Sequence, residues 1–520
     1  MISKTMRNNR NIRQTGKSHM KLFLITFLLL IAYSTNYCQQ PSLKYDCDCS
    51  KIGLDPIWAD TNKVSCYLIP VERNYSAPRG NKYFLAVAVI PGLSLAPKEP
   101  LLYLHGGPGI AALSNLPYYL KTKTFSRLRQ NHALIFFDYR GTGFSEPNMC
   151  KSLSDSLDAI SDTLTTEELI TKRALLYSNC KSDLLQQDIL PSDFSSLQSA
   201  ADAEAIRKEL GITRWNIYSV SHGTTVALNM MRTFPENIRS VILDSPFPPN
   251  APWIDFVHPF DTCFKVLERT IARDPLYAEL FPSIRNDFVK IAKRLQVNPL
   301  VILPSKENNS LAPPGSFDDG DFVWSVWNSM LDPKTIRLVP LALKEMASGN
   351  DSVLMMWALF FNDPNSFGEF SEAQSRAILG FETKPRFKEH TENYLLYKFP
   401  DFASFITKGL DEELNKVFRP EIPPNDYFDP VTSDIPTLIF SGEYDPVCPP
   451  LFADITSKTL YNSTVIIVPS ASHAAMYADD CTREIGAKFY LDPEIKPNLE
   501  CLLKRKQIEF VTSDIINFLR

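Results

Sequence analysis

The chain has 520 residues, 44% hydrophobic and 22% charged, with 19 Gly and 39 Pro. This ordinary globular composition excludes a disordered chain, a collagen and a multi-span membrane protein. The formal charge is −5, but Lys4, Arg7, Arg10, Arg13, Lys17 and Lys21 all precede residue 39 with no acid among them, so the remainder carries 48 basic against 59 acidic side chains, a net of −11. Such an acidic body has no electrostatic footprint for nucleic acid. It is also repelled by anionic lipid, and the length suits roughly two to four units or one large α/β domain with insertions.

Leu22–Tyr33 is an unbroken apolar run of twelve residues, too short for a bilayer span of about 20 residues. Basic residues precede it and Ser34, Thr35 and Asn36 follow, which predicts a secretory signal peptide cleaved between Ser34 and Gln40. The rival reading is an uncleaved N-terminal anchor. Met20, just before Lys21, is an alternative start. Beyond the signal peptide no membrane association is expected, and the localisation is secreted or periplasmic. Ten cysteines suit an oxidising compartment, and none shows the paired C-x-x-C spacing of a zinc site. Setting Cys38 aside leaves nine, so at least one thiol is unpaired within the chain. Asn74, Asn308, Asn350 and Asn462 head glycosylation sequons.

Apolar runs at Tyr83–Ile90, Leu101–Leu104, Ala133–Phe137, Trp215–Tyr218, Val241–Leu243, Thr437–Phe440 and Val465–Val468 predict strands buried on both faces. Ala200–Leu210, stopped by Gly211, and Thr224–Thr233 read as helices. Alternation of this kind predicts an α/β fold with a doubly wound, mostly parallel sheet. It breaks after Leu243: from about Pro246 to Ser433 the chain is rich in Trp, Phe, Pro and helical patterns. The expected organisation is a signal peptide and extension over 1–38, a core over 39–246, a capping insertion over 247–433, and the rest of the core over 434–520. Trp253, Trp324, Trp327, Trp357, Phe360 and Phe361 are expected mostly to pack the cap.

The chemistry concentrates at strand ends. Trp215–Ala227 reads WNIYSVSHGTTVA, a strand, a tight turn of small residues and a helix, the context of a nucleophile elbow around Ser221. A serine hydroxyl needs a base, and the base an orienting carboxylate. In an elbow protein of this type the chain order is serine, acid, histidine. Asp445 follows the strand in LIFSGEYDP, and His473 is the only histidine after it. Glu443 is the runner-up acid, while Asp434 precedes its strand and lies at the wrong end. A tetrahedral intermediate needs two backbone N–H donors. The Gly106-Gly107 loop of LLYLHGGPG offers one, and the backbone of His222 the other. Asp138 and Arg140 are expected to brace their loop as an ion pair.

Together HGGPG at 105–109, DYRGTGFS at 138–145, SVSHG at 219–223, GEYDP at 442–446 and His473 resemble the prolyl-aminopeptidase and tripeptidyl-aminopeptidase family of α/β-hydrolases. Residues 210–249 and the tail from Ser472 to Cys501 are similar to its larger, secreted branch. The resemblance implies Ser221 as nucleophile, Asp445 as acid and His473 as base. It implies disulfides Cys150–Cys180 and Cys481–Cys501 and a bond from Cys66 to Cys47 or Cys49, with Cys263 and Cys448 left over and Cys448 taken as a packing residue. Two features depart from the family: Ser219 stands where it has glycine, and His222 where it commonly has Tyr or Trp. Gly380 takes the place of a cysteine that often precedes the family's acid, here Glu382.

The implied activity is a secreted serine exopeptidase that releases residues from peptide N-termini, with Glu382 or Glu443 as candidate partners of the free amine. The alternative is a serine esterase or acyl hydrolase, since fold does not fix substrate. A non-catalytic binding protein usually loses a triad member, and none is missing here. The expected partner is a peptide or small acyl substrate, and no cofactor or metal is needed.

Overall fold

The structure, a computed structural model, describes residues 45–513 except 159, 161–165, 253–256, 303–314, 362–368, 384–394, 396, 403–416, 419–422 and 425. The signal-peptide run Leu22–Tyr33, Cys38, Trp253 and Asn308 lie outside the described residues.

The strands are β1 (Tyr45–Asp46), β2 (Ser65–Val71), β3 (Tyr83–Ile90), β4 (Lys98–Leu104), β5 (His132–Phe137), β6 (Trp215–Val220), β7 (Ile238–Asp244), β8 (Leu300–Ile302), β9 (Gly315–Phe317), β10 (Thr437–Gly442) and β11 (Ser463–Val468). Nine of them form one sheet in the order β1-β2-β3-β5-β4-β6-β7-β10-β11. The first three pairs are antiparallel and the other five parallel. β8 and β9 form a small hairpin apart from it.

Successive side chains of a strand point to opposite faces, so a strand covered on both sides must be apolar throughout. In β4, Leu101 and Tyr103 enter one core with Tyr218, Ile242 and Phe440. Leu102 and Leu104 enter the other with Ile217, Leu243 and Ile439. Helices α1 (Ser196–Glu209) and α2 (His222–Thr233) cover the second face through Ala200, Ala203, Ile206, Val226 and Met230. The first face is covered in part by Ile485 and Phe489 of a late helix, Asp480–Leu491. α1 begins four residues before the apolar pattern does, because the Ser195 side chain accepts from the Gln198 N–H and caps it. It ends where Gly211 takes a φ of 67°, which costs glycine no Cβ clash.

Between β7 and β10 the chain leaves the sheet. It forms, among other helices, α3 (Val257–Arg273), α4 (Asp319–Ser329), α5 (Asp351–Phe361) and α6 (Glu372–Thr383). These build a core of their own around Phe260, Phe264, Phe288, Trp327 and Trp357. Trp324 and Trp327 stack at 4.7 Å, and Trp357 donates to Ser325 Oγ at 3.0 Å. Phe361 is buried, whereas Phe360 is exposed.

Disulfides join Cys49–Cys66, Cys150–Cys180 and Cys481–Cys501. Cys47, Cys263 and Cys448 are free thiols. Among the described residues no helix is long and apolar enough to cross a membrane. The Asn74 amide is buried. It donates to the Ser192 carbonyl and accepts from the Ser76 and Ala77 N–H groups, so its sequon is closed to glycosylation in the folded chain.

Candidate active site

In a parallel sheet the carboxyl ends of neighbouring strands meet at one edge, where open α/β sheets bind ligands. Here β6, β7, β10 and β11 are neighbours, so the loops after them converge. β6 delivers Ser221, held at φ 55° and ψ −129°. That backbone is rare for a residue with a Cβ, and it persists because its surroundings impose it. The Ser221 N–H donates to the Asp244 carbonyl, and the Ser221 carbonyl accepts from Thr224 N. Gly223 is required by space: a Cβ there would lie 2.3 Å from the Leu104 carbonyl oxygen and 2.6 Å from that of His105. Ser219 is fully buried, and its hydroxyl donates across to the Ile242 carbonyl on β7 at 3.0 Å. That bond accommodates a serine at a position where the resemblance expects glycine.

The loop after β4 carries Gly106 and Gly107 to the elbow. A Cβ on Gly106 would meet Ser221 Cβ at 2.9 Å and lie 3.5 Å from its Oγ, so bare backbone approaches the serine there. Gly107 has a φ of 121°. A segment of the insertion clasps this loop: Ala111 N donates to Glu369 O, and Ser371 N to Gly109 O.

Asp445 lies in the turn after β10 and His473 in the loop after β11. The His473 Nδ1 sits 3.0 and 2.9 Å from the two carboxylate oxygens of Asp445. Asp445 Oδ1 also accepts from Val447 N and Cys448 N, each at 2.8 Å. Burial alone would lower the His473 pKa, but the Asp445 charge and hydrogen bond outweigh it and hold the imidazole above its usual 6.5. Glu443, the runner-up acid, faces elsewhere and accepts from Ser470 N at 3.0 Å.

Asp244 and Ser245, which the sequence reading did not single out, gather these loops. The Asp244 carbonyl holds Ser221 N, and its Oδ2 accepts from Tyr218 OH and Met476 N. Ser245 Oγ accepts from Ala474 N. Burial pushes the Asp244 carboxyl up to about 7. An acid at the end of the apolar run VILD, one strand from the elbow, was the available signal. The insertion braces the acid turn from its other side: Trp327 donates to the Pro446 carbonyl at 3.2 Å, and the Cys263 thiol to the Tyr444 carbonyl. Cys448 is fully buried and packs with Ala251 and Phe452, as expected. The Ser221 hydroxyl lies against its thiol. Its Sγ, a ring nitrogen of His473 and an oxygen of Asp445 lie within 4.8 Å of one another.

The His222 side chain turns to the insertion. Its Nε2 lies 3.0 Å from Glu382 Oε2, with both side chains buried. The other Glu382 oxygen accepts from Ser196 N. The Ser196 hydroxyl meets Tyr427 OH at 2.8 Å and accepts from Asn229 at 3.0 Å. Burial would raise the Glu382 pKa, but the His222 interaction and the surrounding hydrogen bonds hold it below the usual glutamate value.

The expected Asp138–Arg140 pair is not formed. Arg140 instead forks onto Asp202 of α1, at 2.7 and 2.5 Å, and donates to the carbonyls of Asp193, Arg73 and Glu72. Asp138 accepts from Leu113 N and Phe144 N, and burial pushes it up to about 6. Both residues brace loops, but with different partners.

Fold and site together define a hydrolase of the α/β type. The alpha/beta hydrolase fold family matches residues 99–480, and the chain belongs to it. The serine protease Hip1 of Mycobacterium tuberculosis (strain ATCC 25618 / H37Rv) is 21% identical over 465 residues, 83% of this chain and 86% of that protein. The tripeptidyl aminopeptidase of Streptomyces coelicolor is 25% identical over 195 residues, 36% of each chain. The proline iminopeptidase of Neisseria gonorrhoeae is 24% identical over 159 residues, 30% of this chain and 36% of its own. Among solved structures, the proline iminopeptidase-related protein of Thermus thermophilus aligns with 83% of this chain and 98% of its own, at 17% identity and a TM-score of 0.35. The family match makes the chain an α/β-hydrolase, similar over most of its length to a protein named a serine protease.

Proposed function

We propose that the protein is a secreted serine aminopeptidase that removes residues from peptide N-termini through an acyl-enzyme. The observations that carry this reading are Ser221 at a positive-φ elbow beside Gly106 and a His473 whose Nδ1 is held by Asp445, on loops that follow strands of one parallel run. With Nδ1 occupied, Nε2 is the nitrogen left to take the Ser221 proton. Ser221 Oγ attacks the acyl carbon, and backbone N–H groups of the Gly106-Gly107 loop and of His222 receive the oxyanion. His473 then passes its proton to the leaving amine, and a water activated by His473 releases the acyl group and restores the serine. The insertion over 247–433 acts as the cap that closes on the substrate. Peptidase names among the relatives support the substrate class, and the three disulfides support an oxidising, extracytoplasmic compartment.

One observation favours a second reading, an esterase or acyl hydrolase. Both carboxylates considered for the substrate amine are engaged, Glu382 by His222 and Ser196 and Glu443 by Ser470. A panel of prolyl, alanyl and tripeptidyl anilides, each with free and acetylated amines, plus a phenyl ester, separates the two. The aminopeptidase cleaves the free-amine anilides only, and Ser221→Ala lowers the rate by at least about 10⁴-fold. Ester cleavage with every anilide untouched overturns the aminopeptidase in favour of the esterase.

A further inference from the structure

Hydrolysis by serine, histidine and aspartate gives no role to a thiol, yet one sits among them. Cys448 follows Asp445 by three residues, and its N–H returns to Asp445 Oδ1 at 2.8 Å. The turn therefore folds back and brings the thiol to the carboxylate. Cys448 has no disulfide partner. Its sulfur, one oxygen of Asp445 and one ring nitrogen of His473 are mutually within 4.8 Å. The Ser221 hydroxyl adjoins the same sulfur.

Sulfur, imidazole nitrogen and carboxylate oxygen are the donor set of zinc rather than of magnesium or calcium. Bonds of about 2.3 Å to sulfur and about 2.0 Å to nitrogen and oxygen place tetrahedral ligands roughly 3.3–3.8 Å apart. The three donor atoms, mutually within 4.8 Å, lie close to that spacing. Two of them are fully buried on turns pinned by backbone hydrogen bonds, whereas His473 keeps 19% of its side chain exposed, which gives a cation a way in.

We propose that Asp445, Cys448 and His473 form a binding site for a thiophilic divalent cation, Zn²⁺ foremost, and that its occupation switches the hydrolase off. Binding replaces the Cys448 S–H bond with a sulfur–metal bond and releases one proton to solvent. Thiolate and carboxylate together neutralise the dication. Either ring nitrogen serves the same end. Metal on Nδ1 breaks the bond to Asp445, and metal on Nε2 takes the lone pair that must accept the serine proton. Metal binding itself is independent of the substrate; only its inhibitory consequence rests on His473 being the base.

The test uses the full-length mature protein, first stripped with EDTA. Titration with Cd²⁺ is followed by the ultraviolet thiolate-to-cadmium charge-transfer band, which needs no substrate. The expected result is one Cd²⁺ per chain with a band that disappears in Cys448→Ser. His473→Ala, which keeps the thiol, weakens binding by at least about tenfold. Should Cys448→Ser not fold, as judged by circular dichroism, His473→Ala carries the test alone. In parallel, Zn²⁺ inhibits whichever anilide or ester the enzyme cleaves, EDTA reverses it, and half-inhibition in Cys448→Ser needs at least about tenfold more Zn²⁺. A band that survives in folded Cys448→Ser, and so belongs to Cys47 or Cys263, overturns the site, as does a band unchanged in His473→Ala. Equal Zn²⁺ sensitivity of wild type and Cys448→Ser overturns the switch. If no substrate is cleaved, the catalytic reading fails while the cadmium band still decides the metal site.

Discussion

Glu382 belongs to the insertion, yet it holds the residue that follows Ser221, the nucleophile of the proposed mechanism, so its removal should weaken both stability and turnover. Glu382→Ala strips the partner from His222 Nε2, 3.0 Å away, and from Ser196 N at 3.2 Å. Both side chains of the pair are nearly inaccessible, at 4% and 7%. Water therefore cannot replace the lost carboxylate. Breaking a buried pair by removing one partner costs about 3–5 kcal/mol, and the unmet Ser196 amide lies within that figure rather than on top of it. Glu382→Gln keeps the shape and one carbonyl acceptor, so it should cost about 1.5–3 kcal/mol, the worth of a hydrogen bond to a charged group. The sign with pH follows from the depressed carboxyl. Its contribution is full above the usual value of 4.5 and is lost as pH falls through the lower folded value. The Gln penalty should therefore be present at pH 7 and shrink in acid. On turnover, loss of a whole oxyanion donor costs about 10²–10³ in kcat. Here the His222 N–H is loosened rather than deleted, so a fall of about tenfold in kcat with little change in KM is expected. Urea midpoints and steady-state kinetics on Glu382→Ala, His222→Gln and the double variant complete a cycle, and a coupling energy of about 0.5–3 kcal/mol is expected for residues in contact. A coupling of zero, or an Ala variant with the wild-type midpoint and kcat, refutes the link between insertion and elbow.

The remaining predictions concern the loops at the strand ends. Because His473 is held above 6.5 and must be neutral to accept the serine proton, kcat/KM should fall as pH drops through a value above 6.5; an acid limb at or below 6.5 contradicts the assignment. Gly442→Ala would place a Cβ 2.0 Å from the Ser472 carbonyl oxygen, backbone that cannot step aside. It should cost about 3 kcal/mol and displace His473, whereas an unchanged melting temperature with full activity sinks the packing argument. Asp244 is raised from 3.8 to about 7, so its contribution to stability is full below 3.8 and is lost as pH rises through 7. At about 1.4 kcal/mol per pKa unit, Asp244→Asn should gain about 2–4 kcal/mol relative to wild type between pH 4 and pH 8. Parallel urea midpoints across that range argue that the carboxyl ionises freely.

What could be read ahead of the structure was whatever a few contiguous residues decide. Most sheet strands were visible as apolar runs because both faces are covered. β2 was not, since Pro70 interrupts Ser65–Val71 and proline argues against an inner strand. Its place near the antiparallel edge, paired with β1 and β3, is where proline is tolerated. The Ser221, Asp445 and His473 positions were legible because chain order and strand ends restrict each to one or two residues. The choice between Cys47 and Cys49 was not local. Cys47 continues β1 and its N–H bonds the Cys66 carbonyl, but the helical turn Cys49–Ile52 brings the second sulfur back over Cys66.

Polar pairing failed wherever the partner lay far along the chain. Asp138 and Arg140 are two residues apart and ionically matched, yet the loop turns them onto different neighbours. Gly143, at a φ of 49°, brings its backbone so close that a Cβ would lie 2.2 Å from Asp138 Oδ2. Asp138 therefore serves backbone N–H groups, Phe144 of its own loop and Leu113 of the loop after β4, and Arg140 reaches Asp202, 62 positions on. Glu382 and His222 are 160 positions apart, and no pattern in either segment announces the other. The same holds for Cys448, which looks like filler in sequence because its neighbours Ser221 and His473 come from two other strand ends. An apolar run reports burial, which is a property of one segment. A charge or a thiol reports its role only through the group opposite it, and that group is chosen by topology. The residues most worth mutating in this chain are accordingly those whose partners are distant: Asp244, Glu382 and Cys448.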